Sequence, residues 1–350
     1  MPATPAPDPL PGQQPGQLPG QLPSPGTGVR GARSGSRMSL LTKVARLYHD
    51  EGVRQPEIAA RLHISQSRVS RLLKEAVEIG VVRTVVVPPS GVHPDLEDAV
   101  RDAYGLADVV VAEATAPDDE RSVTAAIGSA GAAYLESTLG AADRVGLSSW
   151  SSTLLACVDA MMPRTVRLAS EISQVIGGVG QAAVQVQATQ LTSDLARIAG
   201  ATPRFLPAPG IVATAAVRDG LLSDPQIADL AASWADLTTC LVGIGSLEPS
   251  PLLAMSGNAV PEDERATLRE AGAVGDVCLR FFDADGEQVD AGLADRVVGI
   301  DPATLKAIPR VIGLAGGRRK LDAVRAAALG GWVHVLITDV VTAEGLLARR

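Results

Sequence analysis

Gln66, Ser67, Arg68, Ser70, Arg71 and Lys74 fall close together in the stretch QSRVSRLLKEAV, interleaved with Val69, Leu72, Leu73, Ala76 and Val77 at three- and four-residue intervals. That spacing predicts an amphipathic helix with one apolar stripe and one face crowded with hydrogen-bond donors. Arginine can grip guanine through two parallel hydrogen bonds, whereas serine and lysine suit phosphate oxygens. Residues near the start of such a helix reach base edges in a major groove. Arg68 and Arg71 are therefore expected to read bases, and Ser70 and Lys74, further round or further along, to hold phosphates.

Several short elements must position that helix. Ile58, Ala59 and Leu62 give a preceding short helix its own stripe, and Ser65 stands where a side chain can cap the next one. His63 occupies the turn between them, where such motifs often carry glycine because the backbone needs positive φ; histidine tolerates that region better than most residues. Upstream, Leu40, Leu41, Val44, Ala45, Leu47 and Tyr48 predict a third helix covering the other two. Downstream, Gly80 should stop the recognition helix, and the run 81–87 reads as a β-strand, which makes the module a winged helix-turn-helix. Charge agrees: residues 28–84 carry eleven Lys and Arg against five Asp and Glu, or +6, leaving −14 elsewhere to reach the chain's −8. This small module alone matches a polyanion such as double-stranded DNA.

The full length of 350 residues, with 46% hydrophobic but only 3% aromatic content, indicates a second domain with an Ala/Val/Leu-rich core. Residues 1–37 are dominated by Pro, Gly, Gln and Ser and are expected to form a disordered tail, with Met38 a candidate start. Arg30, Arg33 and Arg37 in this tail could add phosphate contacts, although a solvated tail is the plainer reading. Cys157, Cys240 and Cys278 are far apart, form no metal-ligand pattern with the four histidines, and read as buried small hydrophobes. No apolar run is long enough to cross a bilayer and no secretory signal is visible, so a cytoplasmic location without membrane contact is expected. Nothing in the pattern calls for a metal or a cofactor.

From about residue 91, strand-like apolar runs alternate with helical stretches: 107–112, a helix near 119–139, 144–147, 175–176, 241–244, 311–314 and 333–337. This predicts an α/β fold with a largely parallel sheet, in which ligands bind beyond the carboxyl ends of strands. Four segments at such positions are rich in glycine or hydroxyls: 146–153, 177–180, 243–246 and 316–320. Ser149, Ser151, Ser152 and Thr153 precede an apolar helical run, where hydroxyls and free N–H groups could cradle a phosphate. Gly178, Gly245, Ser246 and Gly316 permit close backbone approach, and Lys320 beside a glycine pair could supply the counter-charge. Asp276, Phe282 and Asp283 sit together with Phe281. They fit either a sugar site, with carboxylates receiving hydroxyls, or a core aromatic pair beside the Asp285-Gly286 turn.

Taken in order, EIAARLHISQSRVSRLLKEA, VIGGVG, VGIGS, AVGDVCLRFFDADGEQVD and AGGRRKLDAVRAAALGGWVHVLITD resemble the SorC family of sugar-responsive transcriptional regulators over about residues 39–348. The resemblance implies a winged helix-turn-helix domain over 38–90. It also implies a Rossmann-like α/β effector and oligomerisation domain over 91–350, similar to the phosphosugar isomerase, glucosamine-6-phosphate deaminase and CoA transferase group. The implied partners are operator DNA, a phosphorylated sugar effector and further copies of the chain, as a dimer or tetramer. By carry-over, Ser151, Ser152, Thr153, Gly245, Ser246 and Lys320 hold the phosphate, while Asp276, Phe282 and Asp283 approach the sugar. The chain departs from the family pattern at Ser149 and Ser151, where glycines usually stand. The function expected is a DNA-binding regulator, a repressor first, controlled by that sugar phosphate. The alternative is a phosphosugar-processing enzyme with a DNA-binding appendage, for which Asp276, Asp283 and Lys320 form no convincing catalytic set and His334 reads as a strand residue.

Overall fold

The structure, a computed structural model, describes residues 29–82, 91–148, 151–163, 166–178, 182–248 and 260–349, with backbone alone for 29–35 and 182–188. It divides into two compact units, Met1–Val87 and Pro88–Arg350.

In the first unit, helices α1 (Val29–His49), α2 (Gln55–Leu62) and α3 (Gln66–Glu78) share one small core. Leu41, Val44, Ala45, Ile58, Val69, Leu72, Leu73 and Ala76 are buried in it. Pro56 opens α2 in the first-turn region, where proline's missing N–H is harmless. His63 ends the helix in the left-handed region at φ 52°, as the missing glycine required. Ser65 then caps α3, its hydroxyl accepting the N–H of Arg68 at 3.3 Å.

Three expectations are corrected here. Val77 is 53% exposed rather than part of the stripe, because Ala76 already takes the core-facing position at that turn. The tail is not irregular up to residue 37: α1 begins at Val29, so helical backbone bonds continue through the segment whose side chains are too polar to form a core. Val81 and Val82 form a bend after the left-handed Gly80, and the rest of the wing strand, 83–87, lies outside the described residues.

The second unit is built on a seven-stranded parallel sheet with order β1-β10-β9-β5-β2-β3-β4 among the described residues. The strands are β1 (Asp108–Ala112), β2 (Arg144–Leu147), β3 (Glu171–Gln174), β4 (Thr202–Arg204), β5 (Thr239–Gly243), β9 (Arg310–Leu314) and β10 (Val335–Asp339). A small antiparallel sheet, β6 (Gly245–Ser246), β7 (Gly275–Val277) and β8 (Arg280–Phe282), hangs from the end of β5. Helices α4 (Pro94–Tyr104), α5 (Glu120–Thr138), α6 (Ser152–Ala160) and α7 (Ala182–Ala199) supply crossovers and flanks. Runs such as Val109-Val110-Val111 and Leu336-Ile337 read as continuous apolar stretches because both faces of a parallel sheet are covered. Alternate residues serve opposite cores: Cys240 and Val242 join one cluster and Leu241 the other, as do Val311 and Ile312.

Two strands differ from expectation. The segment 175–176 follows β3 rather than forming it, since the strand itself is disguised by polar residues. Ser173 and Gln174 are buried, and Gln174 is satisfied by Thr192 and by the N–H of Leu206. β4 went unseen because Pro203 sits in it, a residue tolerated at a sheet edge.

Candidate functional site

From β2 the chain winds outward through β3 to the edge strand β4. It then returns to β5, which pairs with β2 on one side and β9 on the other. Connections thus depart in opposite directions from β2 and β5, and their carboxyl ends flank the crevice where doubly wound sheets bind ligands. A small cleft opens there. Its walls come from separate segments: Ser148, Ser151 and Ser152 after β2, Ile176 after β3, and Gly243 to Ser246 with Glu248 after β5. Asp276, Cys278 and Leu279 come from the β7–β8 hairpin, and Arg319 and Lys320 follow β9.

The wall after β2 is stitched to β5. Ser148 Oγ accepts the N–H of Gly243 at 3.3 Å, and Ser151 caps α6 by accepting the N–H of Leu154 at 3.3 Å. A Cβ on Gly243 would come within 2.6 Å of Ser151 Oγ, so glycine is required for the two segments to meet. Both serine hydroxyls are buried and retain a proton to donate, beside the first turn of α6 with its free N–H groups.

The opposite wall is a hairpin without a turn glycine. Cys278 and Leu279 are both left-handed, at φ 54° and 59°, the conformation of a type I′ turn that Asn-Gly usually serves. Asp276 Oδ2 accepts the N–H of Leu279 at 3.0 Å and so holds the turn from inside the pocket. Burial pushes the Asp276 carboxyl up to about 6, against the opposing pull of the Leu279 N–H and of Lys320. Lys320 is held below its ordinary value by burial first and by neighbouring Arg319 second, with Asp276 and Glu120 pulling the other way. A cation and a carboxylate thus face one pocket from β9 and β7. Arg319 straps the rim, donating to Ser246 Oγ at 2.9 Å, to the Glu248 carbonyl at 3.1 Å and to Glu120 Oε1 at 2.6 Å.

Of the anticipated effector residues, Ser151, Ser152, Gly245, Ser246, Asp276 and Lys320 converge on this pocket. Ser149 lies outside the described residues. Thr153 is buried beneath it in the core at 3% exposure. Gly178 does not line it; its N–H bonds the Ala208 carbonyl. Phe282 is fully buried and tilted against Trp332 at 5.2 Å, which decides for the core aromatic pair. Asp283 Oδ1 receives the N–H groups of Asp285 and Glu287, so it organises the following turn rather than a ligand. Gly316 belongs to an adjoining cleft that shares Arg319 and Lys320 with the pocket, and a Cβ there would strike the Asp339 carboxylate. The sequence reading placed Ser148 only within the 146–153 segment and missed Ile176, Glu248, Cys278 and Leu279 as pocket residues. Ser148 was recoverable as the first hydroxyl after β2, but no local signal marks a Cys-Leu turn.

In the first unit Gln66, Ser67, Arg68, Ser70, Arg71 and Lys74 are all exposed, while Val69, Leu72 and Leu73 between them are buried. Arg71 Nε rests on the Ser67 carbonyl at 3.3 Å. His334, in the approach to β10, accepts the N–H of Val311 through Nδ1 at 3.1 Å and is structural.

A capped, exposed reading helix in one unit and an enclosed switch-point pocket in the other define a DNA-binding transcriptional regulator with a ligand-binding domain. Residues 45–83 match the winged helix-turn-helix DNA-binding family model, and residues 92–348 match the model described as "Putative sugar-binding domain". The chain is 32% identical over 311 residues to the deoxyribonucleoside regulator of Bacillus subtilis, covering 89% of this chain and 98% of that protein. It is 28% identical over 312 residues to the sorbitol operon regulator of Klebsiella pneumoniae, covering 88% and 97%. The crystal structure of full-length SorC from Klebsiella pneumoniae aligns with a TM-score of 0.67 at 26% identity, over 89% of this chain and 99% of that one. The chain belongs to the SorC family of sugar-binding transcriptional regulators.

Proposed function

We propose that the switch-point pocket binds a phosphorylated sugar and that its occupancy changes the affinity of α3 for operator DNA, with the unliganded protein acting as a repressor. The observation that carries this reading is the meeting of Lys320, the Ser151 and Ser152 hydroxyls and Asp276 in one enclosed crevice. The ammonium, the hydroxyls and the first-turn N–H groups of α6 suit the phosphate, and Asp276 suits a sugar hydroxyl. Gln66, Ser67, Arg68 and Arg71 are assigned to base reading and Ser70 and Lys74 to the backbone. Coupling between the two sites requires that the effector favour one arrangement of the chain over another, and a homo-oligomer of two or four chains on two half-sites supplies such arrangements. The protein is read as a binder rather than a catalyst, as the similar proteins of Bacillus subtilis and Klebsiella pneumoniae are named regulators.

The test is calorimetry and thermal unfolding against a panel of sugar phosphates and their unphosphorylated counterparts, on the wild type and Lys320→Ala. Ligand at a hundred times its Kd stabilises the folded state by about 2.7 kcal/mol. A phosphosugar should raise Tm in the wild type and lose most of its affinity in Lys320→Ala. Equal affinity in the two proteins would remove Lys320 from the phosphate site, and no response to any phosphosugar would remove the effector assignment.

A further inference from the structure

The loop that carries Arg319 and Lys320 into the pocket is pinned from behind by two residues that do not line it, Asp339 and Thr342. The N–H of Gly317 is shared between Asp339 Oδ2 at 2.7 Å and Thr342 Oγ1 at 2.8 Å. Thr342 in turn donates its hydroxyl to Asp339 Oδ2 at 2.5 Å and its N–H to Oδ1 at 3.1 Å, so the carboxylate also caps the helix Val340–Ala348. Both residues are 1% exposed. Gly317 stands at φ 89°, and a Cβ on Gly316 would lie 2.2 Å from the same carboxylate, so the loop cannot slide past it. The far end of that helix is tied to α4, because Tyr104 donates its hydroxyl to the Leu346 carbonyl at 2.8 Å. Val100 of α4 is buried in the same core cluster as Ala343 and Leu346. The other side of α4 is bonded to the sheet edge: Glu97 Oε1 accepts the N–H of Val111 at 2.9 Å, and β1 pairs with β10 up to Asp339 itself. Among the described residues α4 is the first helix of the second unit, the one that the chain from the first unit enters.

We infer that Asp339 is a positioning residue that links the pocket to α4, so that occupancy of the pocket is felt where the chain arrives from the DNA-binding unit. A ligand that holds Lys320 fixes the 316–320 loop. The shared Gly317 N–H passes that restraint to the first turn of the helix Val340–Ala348, and Tyr104 passes it from the last turn to α4. A ligand can couple two sites by removing freedom from the elements between them, and such coupling is read as a change in local opening. The inference rests on the reading of Lys320 as a phosphate ligand.

Inorganic phosphate is the probe, at saturation and against chloride of equal ionic strength, and hydrogen exchange is followed by mass spectrometry on the full-length protein. In the wild type phosphate should slow exchange over 316–320 and over α4, and both responses should vanish in Lys320→Ala. Asparagine caps a helix about as well as aspartate, so Asp339→Asn/Thr342→Val keeps the cap and removes both acceptors of the Gly317 N–H. Tyr104→Phe removes one hydroxyl outside the pocket. In each of these two variants the loop should still respond to phosphate while the response of α4 is lost. A purely structural role would raise exchange in α4 equally with and without phosphate, and that result overturns the inference. It is overturned equally by an α4 response that survives both variants, or by a wild type in which the loop responds and α4 does not. A loop that ignores phosphate, or responds as well in Lys320→Ala, removes the phosphate reading of Lys320 and the inference with it.

Discussion

The two sites are built by opposite means. The reading surface is one face of one helix: its six candidate side chains come from consecutive turns of α3, stand exposed, and touch little beyond their own helix. The pocket is drawn from segments after β2, β3, β5, β7 and β9, and its residues hold one another in place through Ser148, Ser151, Asp276 and glycines with no room for a Cβ. A surface built on one helix can change its reading without disturbing its support. A pocket assembled from distant segments cannot change a wall without straining the wall opposite.

Substitutions can break or sharpen that contrast. The largest effect is expected at Gly245, where a Cβ would lie 2.0 Å from Asp276 Oδ1. Gly245→Ala should force the carboxylate off the Leu279 N–H, cost about 1–3 kcal/mol of stability and abolish effector binding while sparing DNA binding. Calorimetry showing wild-type effector affinity would contradict the packing argument.

Asp276→Asn tests the electrostatics of the same wall. A carboxyl raised from 3.8 to about 6 binds its proton more tightly in the folded state than in the unfolded chain. The cost of burying its charge is therefore fully felt above pH 6 and relieved as pH falls from 6 toward 4, so this group makes the wild type more stable on acidification through that window. The asparagine variant should lack that component, worth up to about 3 kcal/mol. Urea midpoints measured across the window check it, and parallel profiles for the two proteins would sink it.

On the other side of the comparison, Arg68→Ala should weaken specific DNA binding by about 1–3 kcal/mol and leave stability nearly untouched. If the preference for specific over random DNA survives the substitution, Arg68 reads no base. The smallest effect belongs to Ser65→Ala, which removes the cap of α3 at a cost of about 1 kcal/mol to the first unit. Hydrogen exchange in α2 and α3 should rise while the second unit stays protected; protection unchanged in both would mean the cap contributes nothing.

The same contrast governs what was legible in the residues. His63, Ser65 and the spacing of Val69, Leu72 and Leu73 act within a few residues, and α2, the turn and α3 follow from them directly. In the pocket, Ser151, Ser152, Gly245, Ser246 and Lys320 were legible because each follows a strand of the parallel sheet, and strand ends are where such folds bind ligands; Asp276, inside β7, was reached instead from its place near Phe281 and Phe282 and from the family resemblance. Leu279 was not, since its place depends on an Asp276 carboxylate holding a left-handed turn. Phe282 was misassigned because adjacent strand residues point to opposite sides: Phe281 pairs with Asp276, so Phe282 faces away from its cavity, while Asp283 lies past the end of β8 and is taken up by the turn that follows. The expected strand at 175–176 marks the remaining limit, because β3 buries Ser173 and Gln174 through hydrogen bonds that no hydropathy pattern records.

The order of strands across the sheet also sets an order in time. Among the described residues β1, the first strand of the parallel sheet to be synthesised, pairs only with β10, the last, and β9 and β10 fill the interior of the sheet. The three-helix unit closes its core within the first quarter of the chain, long before the ribosome has made Lys320. A nascent or truncated chain thus presents DNA with a finished reading head and no sensor, and the ability to let go arrives only when translation ends.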